Sequence, residues 1–274
     1  MDETAVSVST PALRWAGFRI DARGARRFVS PVLLIALWQL GSTTHVIPAT
    51  KLASPAAIVT ALWSLTVSGE LWGDLIVSLT RVLVGFTVGV TIGGSLALVA
   101  GLSRSGEDAV DPVMQGLRTL PYLGMVPLMI MWFGIGELPK LALVAFASAF
   151  PVYLTLLGGI RAVDPKLIEA ARIFGLDRFA TIREVILPGA LGPALVGLRY
   201  ALGAAWLSLV VSEQINAGRG IGYLIMNARD FMRTDVIVVG LLVYAILGLA
   251  TDGVVRAIER RALAWRPSIL ADDR

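Results

Sequence analysis

The chain has 274 residues, of which 56% are hydrophobic before its 28 glycines are counted and only 16% are charged. A soluble domain carries about 25% charged residues and has no room to hide this much apolar surface, so the chain is expected to be an integral membrane protein; with no cysteine and no low-complexity tract, disordered, collagen-like and disulfide-stapled classes are excluded. The formal charge of +4 reads as the loop bias of a multi-span membrane protein rather than as a nucleic-acid footprint.

Residues 1–27 are polar and hold Arg14, Arg19, Arg23, Arg26 and Arg27. The apolar run from Phe28 to Leu40 has no A-x-A site after it, so it is expected to be an uncleaved first span rather than a signal peptide. Residues 52–72 follow, with Pro55 near the start and Trp63 and Trp72, a pattern that suits an interfacial helix better than a crossing. Windows of about 20 apolar residues predict further spans near 79–102, 112–133, 140–160, 190–211 and 236–256. The expected fold is all-α and membrane-integral, with about six transmembrane helices and both termini cytoplasmic. Its parts are a cytoplasmic segment 1–27, a transmembrane domain 28–265 with a long loop at 161–189, and a tail 266–274.

Charge placement orients the spans. Arg104, the loop residues Arg161, Lys166, Arg172, Arg178 and Arg183, and the tail residues Arg256, Arg260, Arg261 and Arg266 share the N-terminal face. The opposite face holds Lys51, Lys140, Arg219, Arg229 and Arg233, so the richer face is cytoplasmic. Within the spans, Gly85, Gly89 and Gly93 repeat every four residues and continue to Ala97 and Gly101. Such a stripe lets two helix backbones approach closely. Pro121, Pro127 and Pro151 interrupt spans, which suggests a lined cavity.

The loop is the most informative stretch. Asp164 is an N-cap candidate, Pro165 suits the first helical position, and Gly175 is placed to end the helix in a left-handed cap. Leu167, Ile168, Ala171 and Phe174 form an apolar face opposite Lys166, Glu169 and Arg172. Asp177 caps a second short helix with Phe179, Ile182, Val185 and Ile186 on one side, and Pro188 is expected to close it. Pattern alone leaves two uses for this pair: lying under the bundle, or offering a helix to a groove on a soluble partner.

Glu169-Ala170-Ala171, three residues, Gly175, nine residues, Val185, one residue and Leu187-Pro188 resemble the EAA loop of ABC importer permeases, with valine where isoleucine is usual. The resemblance extends over residues 30–265: Leu52-Ala53-Ser54-Pro55, Pro127-Leu128, Trp132 to Gly136, Ser212-Glu213, Gly220 to Leu224, Asn227-Ala228-Arg229 and Thr234-Asp235-Val236. Together they are similar to the branch that carries aliphatic sulfonates, taurine and nitrate, most of all to its aliphatic sulfonate permeases. The resemblance implies a type I importer in the bacterial inner membrane. It would contain two permease copies, two ATPase subunits and a periplasmic or lipid-anchored binding protein. Glu169, Ala170, Ala171, Phe174, Gly175, Leu187 and Pro188 would then couple to the ATPase. The chain has no G-x-x-x-x-G-K-S/T motif, so ATP hydrolysis falls to a partner and this subunit is expected to be non-catalytic, with no cofactor and no metal.

Intramembrane ionisable residues are functional candidates by default. Arg81 opens the second span, Arg118 lies in the third, Arg199 in the fifth, and Glu213 ends the fifth. Arg118, Arg199 and Glu213 are the candidates for the substrate path, since an arginine offers a small oxyanion charge-assisted hydrogen bonds. The alternative is that these arginines snorkel or pair with acids. Residues 212–234 are expected on the outer face, where Gly220, Gly222 and Tyr223 form either an outer gate or a plain glycine-capped loop. Asp252 and Glu259 are expected to pair with Arg256, and lone His45 has no partner cluster. Two competing classes are a self-sufficient secondary transporter and an intramembrane enzyme. Same-branch carriers of taurine, nitrate, a thiamine precursor or riboflavin are alternatives for the substrate.

Overall fold

A computed structural model describes residues 22–265. Residues 1–21 and 266–274 of the expected cytoplasmic segments lie outside the described residues. The chain runs through α1 (Ala22–Thr43), α2 (Pro55–Val67), α3 (Glu70–Leu102), α4 (Arg104–Leu117), a 3₁₀ turn (Tyr122–Met125) and α5 (Val126–Phe133). It continues through α6 (Leu138–Arg161), α7 (Pro165–Ile173), α8 (Arg178–Thr181), a π turn (Ile182–Ile186), α9 (Leu187–Asn216), α10 (Ile221–Asp230) and α11 (Thr234–Ala262). No strand occurs among the described residues.

Among the described residues, four helical stretches are long and apolar enough to cross a bilayer: Glu70–Leu102, Leu138–Arg161, Arg178–Ile215 and Thr234–Ala262. The apolar part of α1 (Val29–Thr43) and the Tyr122–Phe133 pair are shorter. The 13 residues of α2 rise only about 20 Å, less than the ~30 Å hydrocarbon core. It buries Ile58, Ala61 and Leu65 in one cluster with α10 and the first half of α11, away from the 161–189 loop, and leaves Trp63 exposed. The expected helix at 52–72 is thus a short one over Pro55–Val67, with Trp72 already in α3.

The predicted span 112–133 is not one helix. α4 stops at Leu117, the chain straightens at Pro121, and α5 restarts at Val126 with Pro127 in its first turn. Proline has no N–H to donate and pushes the preceding residue out of the helical region, so the freed groups break the helix there. A second correction concerns Pro188, which does not close a helix. α8 passes through the π turn straight into α9, with the Leu187 N–H reaching back to the Ile182 carbonyl. The wider turn takes up the donor that Pro188 lacks.

The glycine stripe serves packing inside the chain. Gly85 faces Val144, Gly93 faces Ala149 and Gly101 faces Ile160, so α3 and α6 run parallel at close range. A methyl group on Gly85 would lie 2.7 Å from Val144 Cβ. On the other side of α6, Gly159 meets Pro193 and Gly197 meets Thr155, which sets α9 antiparallel to it. Without a hydrophobic driving force between helices in lipid, such backbone proximity is what holds them. α11 completes the bundle against α9, where Val255 joins the buried Leu202, Ala205 and Leu209.

Candidate functional site: the 161–189 loop and an ionic cluster at the opposite end of the bundle

At the loop end, the Asp164 side chain accepts from Lys166 N at 2.9 Å and starts α7. The helix ends in a complete Schellman cap: Gly175 N donates to Arg172 O and Leu176 N to Ala171 O, both at 3.0 Å, with Gly175 at φ +81. This cap turns the chain sharply and fixes which side of α7 faces out. Ala171 is buried and Ile168 half-buried against the bundle, while Ile173 and Phe174 are 84% and 83% exposed. Phe174 therefore leaves the apolar face predicted for it, as does Leu167 seven residues earlier on the same side of α7; only Ile168 and Ala171 turn to the bundle. Arg178 Nη2 donates to Leu102 O at 3.2 Å, and Arg161 pairs with Glu107 at 2.6 Å, tying the loop to the ends of α3 and α4. Behind α7 lies a cavity of about 480 Å³ lined by Leu102, Ile168, Arg172, Leu176 and Ile182. Glu169 is exposed and Ala170 half-buried on α7; Leu187 and Pro188 open α9.

At the other end the chain gathers charges in its interior. Glu213, fully buried on α9, accepts from Arg81 Nη1 at 2.7 Å, from Gly222 N at 2.9 Å and from Tyr244 Oη at 3.0 Å. Ser78 Oγ donates to the same carboxylate, 2.8 and 2.9 Å from its two oxygens. A buried charge survives only when paired and hydrogen-bonded, and this one has four donors. The first N–H groups of α10 are capped by other helices: Gly220 N by Asp74 at 2.9 Å, Ile221 N by Ser78 Oγ at 2.9 Å and Gly222 N by Glu213. This is the anion preference of a helix N-terminus met by the chain's own side chains.

Arg81 is the hub. Besides Glu213 it donates to Arg219 O at 2.6 Å and forms a two-pronged pair with Glu137, Nε to Oε2 at 2.5 Å and Nη2 to Oε1 at 2.7 Å. Lys140 Nζ lies 3.2 Å from Glu137 Oε1 and 2.8 Å from Gly136 O. The Arg81 hydrogen bonds hold the Glu137 carboxyl well below the usual carboxylate range, at about 2, against the opposing effect of its partial burial. Beside the pair opens a cavity of about 620 Å³ lined by Ile76, Val77, Arg81, Glu137, Leu141 and Arg219.

The structure thus brings Glu213, Gly220 and Gly222 together, with half-buried Tyr223 beside them. It does not bring Arg118 and Arg199 there. Arg118 caps α4 at the helix break, exposed and without an ion pair among the described residues. Arg199 bonds Asp252 on α11 at 3.0 Å and approaches Glu259 at 3.8 Å. Arg256 pairs with Asp252 at 2.5 Å, so Glu259 belongs to Arg199 rather than to Arg256 as expected. Sequence reasoning missed Asp74, Ser78, Glu137, Lys140 and Tyr244. The signal was present on α3, where Asp74, Ser78 and Arg81 fall on one face at spacings of four and three. Among the described residues no group of three or more His, Cys, Asp or Glu is placed to hold a metal.

The family model for the inner membrane component of binding-protein-dependent transport systems matches residues 89–263. The chain belongs to this family. It is 45% identical to the "Putative aliphatic sulfonates transport permease protein SsuC" of Escherichia coli, across 95% of this chain and 97% of that protein. The Bacillus subtilis protein of the same name is 43% identical across 87% and 86%. The taurine transport system permease protein TauC of Escherichia coli is 35% identical across 86% and 88%. A solved amino acid ABC transporter shares the fold, with a TM-score of 0.61 over 73% of this chain and 97% of that one at 23% identity. The permease is therefore a membrane-embedded, non-catalytic subunit of an ABC importer, which works with an ATPase and a substrate-binding protein. A secondary transporter and an intramembrane enzyme are set aside by this membership.

Proposed function

We propose that two copies of this permease form the channel of an inner-membrane importer for small organosulfonates, driven by two ATPase subunits and supplied by a periplasmic or lipid-anchored binding protein. The observation that carries the substrate class is the 45% identity over nearly the whole chain to a relative named for aliphatic sulfonates, against 35% to the relative named for taurine.

The coupling role rests on α7. Its Schellman cap leaves Ile173 and Phe174 exposed at the tip of the loop, an apolar pair suited to a contact surface. In this reading Phe174 seats in the ATPase while Glu169, Ala170 and Ala171 carry the helix. Gly175 sets its direction, and Leu187 and Pro188 pass the movement through the π turn into α9. Arg118, unpaired at the helix break, is a cation available to a passing anion, and Gly220, Gly222 and Tyr223 belong to the outer gate.

The test is Gly175→Val in the reconstituted importer. Space around that Cβ is open, so the substitution acts through the left-handed backbone alone, at about 1–2 kcal/mol. The variant is expected to reach the membrane but to lose both sulfonate uptake and substrate-stimulated ATP hydrolysis. Normal coupled hydrolysis overturns the coupling role. Failure of the wild-type importer to take up ethanesulfonate, with taurine or nitrate taken up instead, overturns the substrate class.

A further inference from the structure

We propose that Arg81 Nε and Nη2 with Lys140 Nζ form an oxyanion site for the sulfonate head group, which Glu137 occupies until substrate displaces it. The inference rests on the sulfonate reading above and deepens it by naming the site.

The donors are built as a fixed floor and their present occupant as a removable rim. The Arg81 and Lys140 side chains are 6% and 4% exposed, whereas that of Glu137 is 57% exposed. Arg81 keeps its position without Glu137, because Nη1 remains bound to Glu213 and to Arg219 O. Lys140 likewise retains Gly136 O. Glu137 precedes the first residue of α6 and buries little of itself, so its side chain can leave without repacking the bundle.

The shape and charge of the vacated site match a sulfonate. A carboxylate has two oxygens for three donors, so Glu137 Oε1 is shared between Arg81 Nη2 and Lys140 Nζ. A sulfonate has three oxygens and supplies one to each donor, keeping the two-pronged arginine geometry. With Glu137 seated, Arg81 and Lys140 are balanced by Glu137 and Glu213; with it withdrawn, two cations face one buried carboxylate. Asp74 and Arg219 nearby add one charge of each sign. The site is then one positive charge in excess, which a monoanion neutralises. The low proton affinity of Glu137 means that the resident group is itself an anion at any physiological pH, so one anion is exchanged for another.

The cavity of about 620 Å³ accounts for the rest of the molecule. Beyond the arginine its walls include Ile76, Val77, Val84 and Leu141, suited to an alkyl chain. Seating the ammonium of taurine against that wall means desolvating it with no carboxylate to receive it once Glu137 has moved.

The experiment uses the full chain in nanodiscs and measures binding of radiolabelled pentanesulfonate, with methanesulfonate and taurine as competitors. Glu137→Gln weakens the resident and is expected to tighten pentanesulfonate binding about tenfold, the worth of one charge-assisted hydrogen bond. Adding Lys140→Gln to that variant should reverse the gain. Leu141→Trp fills the alkyl wall and should remove pentanesulfonate binding while sparing methanesulfonate. Unchanged or weaker binding in Glu137→Gln overturns the site, as does taurine competing equally with pentanesulfonate. Wild-type importer is assayed in parallel with its ATPase and binding protein. Pentanesulfonate uptake there with no response to Glu137→Gln sinks the site alone, and no sulfonate uptake of any kind sinks the sulfonate reading with it.

Discussion

Gly220→Ala probes the interior cluster with the smallest possible side chain. Gly220 sits at φ +118 and ψ 165, a region open to glycine and costing other residues about 1–3 kcal/mol. Its new methyl would collide with Glu213 Oε1 and lie 2.6 Å from Cδ and 2.7 Å from Oε2. The carboxylate is fully buried and packed on all sides, so it relieves the clash only by giving up hydrogen bonds. Losing the Gly222 N–H and one further donor costs about 1.5–3 kcal/mol each, since the acceptor is charged. Adding the backbone strain, the expected loss is about 4–9 kcal/mol before relaxation, and about half of that after it. For a chain of 274 residues, even 3 kcal/mol corresponds to a fall of about 5 °C in Tm. The assay is thermal unfolding of the purified permease in nanodiscs, followed by tryptophan fluorescence. Gly218→Ala is the control, because nothing lies within 4 Å of its Cβ and its φ is unexceptional. Equal unfolding temperatures for Gly220→Ala and Gly218→Ala would refute a role for the cluster in holding the loop that precedes α10.

Three further outcomes follow from the same geometry. Glu137 has its proton affinity lowered from an ordinary 4.5 to about 2, so its ion pair contributes stability fully above pH 4.5 and loses it as pH falls toward 2; the stability difference between wild type and Glu137→Gln should be flat from neutral pH to about 4.5 and then shrink, and a difference that grows on acidification reverses the assigned sign. Arg199→Gln should cost less than about 1 kcal/mol, because the pair is partly exposed and Arg256 still holds Asp252; uptake should persist, and loss of uptake at unchanged Tm would return Arg199 to the substrate path. Gly93→Val should separate α3 from α6 by pressing on the Ala149 backbone, lowering the yield of folded protein in the membrane, whereas Gly94→Val, facing only a distant Val152 methyl, should be tolerated.

The difference between what was readable and what was not runs along the nature of each signal. Hydropathy, loop charge, the Asp164 and Asp177 caps and the left-handed Gly175 are local, so periodicity and spacing predict them without knowledge of the rest of the chain. The four-residue repeat from Gly85 to Gly101 also announced a close helix contact, though not its partner. Window averaging, by contrast, passed over the break at 118–121, because hydropathy does not register a missing N–H. Helical spacing grouped Leu167 and Phe174 with Ile168 and Ala171, whereas tertiary packing turns only the latter two to the bundle.

The amino-acid sequence by itself determined that the chain is a helical membrane protein, that its basic residues concentrate at one end of the spans, and where the loop between α6 and α9 forms a short capped helix. Only the tertiary structure decided that Asp74, Ser78, Arg81, Glu137, Lys140, Glu213 and Tyr244 form one polar cluster. They come from α3, α6, α9, α11 and the segment before α6, up to 170 positions apart when Asp74 and Tyr244 are compared. No local rule links such residues. Inside a bundle of apolar helices an ionised group must find every partner it has within the protein, and the packing of the helices chooses which partners those are.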